Sequence, residues 1–341
     1  MIAGCARPRL RHGRIGEPMR DLKLSRLCRC CHGRQSHVEP ALSVPQMPPH
    51  PDLAALVEEV STHRLRKTVA ELSRHPTRHT LSRHVGEVAE WLEERFLALG
   101  YDDVRRLPIR RSIPHLERKT TFFNVRCRKP GLHGAPMRIV CAHFDSCVQN
   151  SLDSASRAPG ANDNATGVAV MLELARLLKD VSLSYPVVFL ATSGEEQGLW
   201  GSTHYAAMLR KTDTHVRFLL NLDEVGFPNE AGEVVVEYDR SKPVANNRTS
   251  KRIASEVAAV ASHLGIRTKM GAINNSDYMP FQSRGYVTIG LFESGDYEDF
   301  RHTGQDEFGQ VKFWYVARVT KVALAALLHP FPTAADEGQE I

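Results

Sequence analysis

The amino-acid sequence predicts an α/β fold: a three-layer α/β/α sandwich around a central, mainly parallel (mixed) sheet. Segments with helical periodicity alternate along the chain with short apolar runs that have the length of strands. Several of these runs are apolar throughout, as expected for strands that are buried on both faces. Hydrophobic residues make up 42% of the 341 residues, which is enough for a sizeable core.

Helices are predicted where apolar residues recur at intervals of three and four. In the segment Leu81–Leu99, the side chains of Val85, Val88 and Leu92 fall on one face, and Gly100 supplies a C-terminal stop. The other segments show the same type of pattern with different strengths. The predicted helices are 52–74, Leu81–Leu99, Gly167–Lys179, Leu199–Arg210, Ser250–Leu264 and Val311–Leu328.

Strands are predicted in the short apolar runs between the helices. The run Val187–Ala191 is bounded by Pro186 and Gly194, which suits a buried strand. Because helices separate the strands, the connections favour a largely parallel sheet. The predicted strands are Phe122–Cys127, Met137–Ala142, Val187–Ala191, Val216–Leu222, Glu233–Tyr238 and Tyr286–Phe292.

One folded domain, residues 52–333, is expected between a leader and a short tail. Residues 1–51 combine a basic, cysteine-containing segment with a proline-rich linker and are expected to be disordered, and residues 334–341 form the tail. Residues 1–50 hold nine Lys/Arg and three Asp/Glu, a net charge of +6, so the remainder carries 5 − 6 = −1. A nearly neutral domain gives no reason to expect a nucleic-acid partner.

The leader does not identify a compartment. It lacks the apolar run of about 7–15 residues found in signal peptides, so the protein is expected to be cytoplasmic or exported after an atypical leader. No stretch approaches about 18 consecutive apolar residues, so no membrane span is expected. A disulfide between two of Cys127, Cys141 and Cys147 stays open, and nothing indicates an oligomeric state.

Residues suited to metal binding follow the predicted strands, where open α/β sheets place their sites. His143 and Asp145 come directly after the strand Met137–Ala142. Residues two apart on an extended segment point to the same side, so His143 can bind an ion while Asp145 accepts the other ring N–H. Asp163 lies in the turn-forming segment 160–167, where it is either a helix N-cap or a carboxylate shared by two ions.

Three more strand ends carry such residues. Glu195 and Glu196 follow the strand Val187–Ala191. Because adjacent residues outside a helix point to opposite sides, one carboxylate can bind metal while its neighbour acts as a general base. Asp223 and His302 follow two later strands. Two histidines and three carboxylates are the ligand inventory for two zinc ions that share one carboxylate.

Together these motifs resemble the M28 family of metallopeptidases, which includes bacterial leucyl-type aminopeptidases. The resemblance covers residues 55–330 and implies a zinc-exopeptidase fold, a peptide substrate and two zinc ions per chain. In chain order, the motifs that carry it are His143-x-Asp145, Gly160–Asn164, Gly194–Gly198, Asn221–Asp223, Ser276-Asp277 and His302-Thr303.

The resemblance implies a role for each of the five ligands. His143 and Asp223 would share one zinc ion, and Glu196 and His302 would share the other. Asp163 would bridge the two ions.

Further roles follow from the same resemblance. Glu195 would be the general base, and Asp145 would orient the first histidine ligand. Glu224 stands where the family commonly has Met and is a candidate for binding a substrate amine or for facing solvent. Tyr278 stands where His is frequent, and its phenol is suited to donating a hydrogen bond to an oxyanion. With Asp277, these two residues form the predicted substrate contacts.

The predicted function is the hydrolysis of peptide bonds by a di-zinc exopeptidase, which the resemblance makes an aminopeptidase. A carboxypeptidase of the same family stays open, because the sequence does not show which peptide end is bound. A glutaminyl-cyclase-like acyltransferase with one zinc ion stays open as well. An inactive binding domain is disfavoured, because all five ligands and the base are present.

Overall fold

A computed structural model describes residues 50–113, 118–240, 246–273 and 275–331. The predictions for the leader up to residue 49 and for the tail 334–341 therefore lie outside the described residues. Within the described ranges, no helix combines the length and the apolar character that a bilayer span requires.

Eight strands of the described chain form one sheet. They are β1 (Asp103–Ile113), β2 (Arg118–Lys129), β3 (Met137–His143), β4 (Val187–Thr192), β5 (Val216–Leu222), β6 (Val234–Tyr238), β7 (Thr268–Ala272) and β8 (Thr288–Phe292). Their order is β1-β2-β4-β3-β5-β8-β6-β7. The central strands β4, β3, β5 and β8 are parallel, whereas β1, β2 and β6 pair antiparallel with their neighbours β2, β4 and β8. The predicted mainly parallel, mixed sheet is confirmed.

Helices cover this sheet. They are α1 (Leu53–Glu58), α2 (Thr62–Leu72), α3 (His84–Ala98), α4 (Thr166–Leu178), α5 (Trp200–Lys211), α6 (Asn247–His263), α7 (Met279–Gln282) and α8 (Phe313–Leu328). The single helix predicted for 52–74 is therefore wrong, because the chain breaks at Ser61. Ser61 has an extended backbone, and its hydroxyl accepts the Arg64 N–H at 3.3 Å, so it starts a new helix as an N-cap.

Both faces of the central strands are buried, which confirms the three layers. In β3, Val140 and Ala142 pack into a large core beneath α4, α8 and neighbouring helices. The intervening residues Ile139 and Cys141 point the other way, into a smaller core formed with α5 and α7. This alternation follows from the two-residue period of a strand and explains why the sequence is apolar throughout.

Two edge strands, β1 and β7, were not predicted. Most β1 side chains are exposed or half-buried, and only Ile109 and Ile113 are buried in this arginine-rich segment. Charged residues and Pro108 are tolerated at a sheet edge, where they also discourage pairing with other chains. Strands with so little buried surface leave almost no apolar pattern in the sequence.

The three cysteines of the domain are free thiols. Cys127, Cys141 and Cys147 are all buried, and none is paired with another. The disulfide that the sequence left open is therefore absent from the described residues.

Candidate metal centre

The sheet topology brings the five predicted ligands to one edge. His143 is the last residue of β3, and Asp223 directly follows β5, the parallel neighbour of β3. Glu196 lies in the turn after β4, on the other side of β3. Asp163 belongs to a tight turn that leads into α4, and His302 lies in the loop after β8. The carboxyl ends of parallel strands therefore converge on one place.

Two groups of ligand atoms flank Asp163. On one side, His143 Nε2 lies 3.2 Å from Asp163 Oδ1 and 3.2 Å from Asp223 Oδ1. On the other side, His302 Nε2 lies 3.2 Å from Asp163 Oδ2 and 2.9 Å from Glu196 Oε2. Each oxygen of Asp163 thus faces one histidine and one further carboxylate.

These spacings and the chemistry of the donors fit divalent metal ions. Ligand atoms that surround a tetrahedral zinc ion at about 2.0–2.1 Å lie about 3.4 Å from one another, close to the spacings in both groups. Glu196 Oε1 is buried and has no hydrogen-bond partner among the described residues, as expected for an oxygen that serves an ion. Imidazole and carboxylate donors suit zinc.

The electrostatics of the site also fit divalent cations. Burial opposes ionisation of Asp163, but hydrogen bonds with His143 and His302 hold the pKa of its carboxyl well below the ordinary range. Burial also disfavours the charged form of His143, yet the neighbouring Asp223 carboxylate raises the pKa of that imidazole well above its usual value. Burial opposes the charged form of His302 as well, but hydrogen bonds with its neighbours, Asp163 first, raise the pKa of its imidazole. A site that favours positive charge at both histidines is suited to cations.

One carboxylate oxygen of Asp223 is available to an ion, because the other accepts a hydrogen bond. Its Oδ2 accepts a hydrogen bond of 2.6 Å from the Ser276 hydroxyl, which in turn accepts one of 2.9 Å from the Asn221 side chain. Oδ1 faces His143. This arrangement favours a ligand that binds through a single oxygen, with a hydrogen bond that fixes its direction.

Asp145 connects His143 to the turn with the two glutamates. Its Oδ1 is 3.6 Å from His143 Nδ1, while its backbone oxygen is nearer, at 3.2 Å. The Asp145 carboxylate also accepts the backbone N–H groups of Glu195 and Glu196, each at 3.3 Å. Besides the predicted contact to His143, Asp145 thus positions the segment that carries the predicted base and a predicted ligand.

Asp306 holds the Asp163 turn, and no sequence pattern pointed to this residue. Its two oxygens accept the backbone N–H groups of Asn162 at 2.7 Å and Asp163 at 3.0 Å, and the Tyr297 hydroxyl donates to it at 2.6 Å. Burial raises the pKa of Asp306 to about 6. The only sequence feature of Asp306 is its position four residues after His302. An acid at that spacing is too common to indicate a role.

Arg78 holds the two loops beneath the site, and it was also missed. This fully buried side chain donates to the carbonyl oxygens of Phe144 at 2.7 Å, Gly160 at 2.8 Å and Leu72 at 3.3 Å, and also to that of Pro159. Burial lowers the pKa of Arg78 to about 10. Because it lies in a short polar segment between α2 and α3, no periodic pattern marks it as a core residue.

Beside the ligands, a cavity of about 260 Å³ opens to the surface. Its walls include Glu195, Glu196, Leu199, Asn275, Arg301 and His302. Burial raises the pKa of Glu195 well above its ordinary value, His143 opposes the shift, and Glu196 adds to it. The predicted base therefore faces the cavity next to the predicted metal ligands.

The three predicted substrate contacts do not line this cavity. Asp277 and Tyr278 are buried below it, where Asp277 accepts a hydrogen bond from Thr192. Tyr278 is hydrogen-bonded to Glu237. Glu224 is also buried, and its carboxylate is paired with an arginine of the cavity wall.

Comparison with known proteins gives one consistent result. Residues 126–327 match the sequence profile of the family described as Peptidase family M28. A protein of Pyrenophora tritici-repentis named "Probable zinc metalloprotease" is 31% identical over 338 residues, which cover 83% of this chain and 69% of that protein.

Solved structures share the fold at lower identity. The aminopeptidase from Aneurinibacillus sp. strain AM-1 superposes with a TM-score of 0.67 at 17% identity, covering 82% of this chain and 98% of that one. The glutaminyl cyclase of Fimbriiglobus ruber gives a TM-score of 0.67 at 19% identity, covering 83% and 97%. Because one fold serves both proteins, the overall structure does not distinguish these two activities.

Proposed function

The chain belongs to peptidase family M28 and is a zinc metallopeptidase, and from this premise we propose that it is a di-zinc aminopeptidase that removes N-terminal residues from peptides. One observation carries the proposal: each oxygen of Asp163 faces its own group of one histidine and one carboxylate. A site for a single ion needs only one such group, whereas two groups that share a carboxylate suit two ions.

Each residue of the site would have its own role in hydrolysis. His143 and Asp223 would hold one zinc ion, Glu196 and His302 the other, and Asp163 both. Zinc at these positions would lower the pKa of a water molecule and polarise the scissile carbonyl. Glu195 would accept the proton of the attacking water and return it to the leaving amine. Asp145 keeps Glu195 in place through its backbone N–H.

The raised pKa of Glu195 suits this double role. A general base must hold the proton long enough to pass it on, which an ordinary carboxylate with a pKa near 4.5 does poorly at neutral pH. Burial supplies the shift in the protein itself, and a bound cation would move the pKa back towards its ordinary value.

The test combines metal analysis with a substrate panel. Zinc per chain is measured on the purified protein, which is then assayed with leucine amide, an N-acetylated peptide and a peptide that begins with Gln. We expect two zinc ions, release of ammonia from leucine amide and no cleavage of the blocked peptide. Shortening of the blocked peptide from its C-terminus would instead identify a carboxypeptidase.

A cyclase is the second candidate, because the Fimbriiglobus ruber glutaminyl cyclase has the same fold. It would show one zinc ion per chain and convert the N-terminal Gln to a ring with loss of ammonia, without cleaving a peptide bond. The same preparation and the same panel therefore separate the two candidates.

A further inference from the structure

Arg301 is the only lysine or arginine that lines the cavity within the described part of the chain. Its neighbours in the wall include the acids Glu195 and Glu196 and the predicted ligand His302. Arg301 Nε lies 3.7 Å from Asp163 Oδ2, so the guanidinium is next to the predicted metal bridge. A permanent cation beside two metal ions is repelled by them, and its presence there requires a compensating charge.

Glu224 supplies that charge. Its Oε1 lies 2.9 Å from Arg301 Nε, and the Glu224 side chain is only 8% exposed. When Glu224 is ionised, the pair adds no net charge to the site. A buried ion pair is weak evidence for stability, since an apolar pair of similar volume packs as well. The geometry instead suggests that Glu224 serves to hold the guanidinium in place.

The terminal guanidinium nitrogens of Arg301 are available to a ligand. Its Nε is closed off from solvent and contacts Glu224 as an ion pair without hydrogen-bond geometry. Because 34% of the side chain is exposed, the exposure falls on other atoms. Neither terminal nitrogen makes a hydrogen bond to any described residue, and Glu298, whose carboxylate lies 3.6 Å from Nη1, is itself 79% exposed. A fixed guanidinium with free donors is the group best suited to binding a carboxylate through two hydrogen bonds.

We propose that Arg301, held by Glu224, binds a carboxylate of the substrate, so that the enzyme prefers peptides with an acidic group next to the scissile bond. This inference rests on the proposed peptidase function. Arg301 Nε is 3.7 Å from Asp163 Oδ2, and a carboxylate bound at the terminal nitrogens lies about 5 Å beyond Nε. The two carboxylates are therefore at most about 9 Å apart, which two or three extended residues span. The carboxylate is therefore that of an acidic residue beside the cleaved bond or the free C-terminus of a dipeptide.

Four substrates distinguish these sources: Leu-Ala-amide, Glu-Ala-amide, Leu-Glu-amide and Leu-Ala. The first has no carboxylate, and the others carry one on the first side chain, on the second side chain or at the C-terminus. With the zinc-loaded enzyme, we expect kcat/KM for at least one charged substrate to exceed that of Leu-Ala-amide about 10-fold or more, because a bidentate charged pair contributes this much.

Variants assign the preference to Arg301. In Arg301→Gln, we expect kcat/KM for the preferred charged substrate to fall about 10- to 100-fold, mainly through a higher KM. The kcat/KM for Leu-Ala-amide should change less than about 3-fold. Arg301→Lys should recover part of the loss, since it keeps the charge but not the fork. Arg105→Gln removes an arginine of the edge strand β1 that pairs with Asp103 at 3.3 Å, and it should behave as the wild type.

The results separate a failure of the role of Arg301 from a failure of the peptidase function. Equal kcat/KM for all four substrates would overturn the role of Arg301 and leave the peptidase intact. A uniform loss for all substrates in Arg301→Gln, with zinc content and melting temperature unchanged, would also overturn it, because a carboxylate contact cannot affect a neutral amide. If the wild-type enzyme cleaves none of the four, the proposed function itself fails, and this inference fails with it.

Discussion

At the scale of single residues, the candidate centre depends on which carboxylate oxygens are already occupied. Ser276 binds one oxygen of Asp223 and leaves the other facing His143. Both oxygens of Asp163 face histidines, and its backbone rather than its side chain is held by Asp306. The structure thus gives one acid a single free oxygen and the other acid two, which matches a terminal and a bridging ligand.

The adjacent glutamates should separate chemistry from metal binding. Glu195→Gln removes the predicted base and keeps the volume of the side chain, so we expect two zinc ions but a kcat about 10²- to 10⁴-fold lower. Glu196→Gln removes a predicted ligand, so we expect zinc to be lost along with activity. Metal analysis and leucine amide hydrolysis on both proteins check this, and full activity of the Glu195 variant would refute its assignment.

The Ser276 hydrogen bond should tune zinc affinity. Without it, the free Asp223 oxygen competes for the ion or rotates the carboxylate, so we expect Ser276→Ala to bind zinc about 10- to 100-fold more weakly. Competition with a chromogenic chelator measures the affinity. Ser283→Ala is the matched control, because the hydrogen bonds recorded for the Ser283 hydroxyl stay at its own helix end. It donates to the Pro280 carbonyl oxygen at 3.0 Å and accepts from the Arg284 guanidinium at 3.4 Å. Equal affinity in the Ser276 and Ser283 variants would remove Ser276 from the site.

At the scale of secondary-structure elements, the sequence correctly predicted the helices and strands that bury apolar surface. Strands β3, β4 and β5 are close to their predicted bounds because both of their faces are covered. Edge strand β1 and the break at Ser61 were missed, since neither depends on an apolar pattern. Four of the five predicted ligands were selected because they follow predicted strands, and Asp163 was selected because it lies in a turn-forming segment before a predicted helix. Arg78 and Asp306 were missed because they act through the backbone of loops, and no motif describes such contacts.

Strand β6 carries a buried acid that should make stability depend on pH. Burial raises the pKa of Glu237 from 4.5 to about 8. In the unfolded chain the carboxyl ionises above about pH 4.5, while in the folded chain it stays protonated up to about pH 8. Raising the pH through this range therefore favours the unfolded chain and lowers the free energy of unfolding.

Glu237→Gln removes this titration and retains a neutral side chain of the same size. We expect the free energy of unfolding of the variant, relative to the wild type, to rise by on the order of 3 kcal/mol between pH 5 and pH 8. Urea unfolding at the two pH values measures it. Glu230→Gln changes an exposed acid nearby and should shift stability by less than about 0.5 kcal/mol at either pH. Parallel pH profiles of the wild type and the Glu237 variant would contradict the prediction.

At the scale of the whole molecule, the fold concentrates negative charge where its sheet ends. Asp163, Glu196 and Asp223 meet at one edge, and Glu195 faces the same cavity. These acids come from different loops, so their mutual repulsion acts between distant parts of the chain. Zinc held by these residues would remove this repulsion and link the same loops, so we expect metal binding and folding to be coupled.

Zinc should therefore stabilise the whole domain. At a free zinc concentration about 100 times the dissociation constant, each bound ion adds about 2.7 kcal/mol. One ion then raises the melting temperature of a domain of this size by about 5 °C, and two ions raise it by about 10 °C. Scanning calorimetry of chelator-treated protein, with and without added zinc, measures the shift. Glu195→Gln should show the full shift, because that residue is not a predicted ligand. Asp163→Ala should show almost none, since both ions lose a ligand, and an unchanged shift in that variant would rule out a bridge.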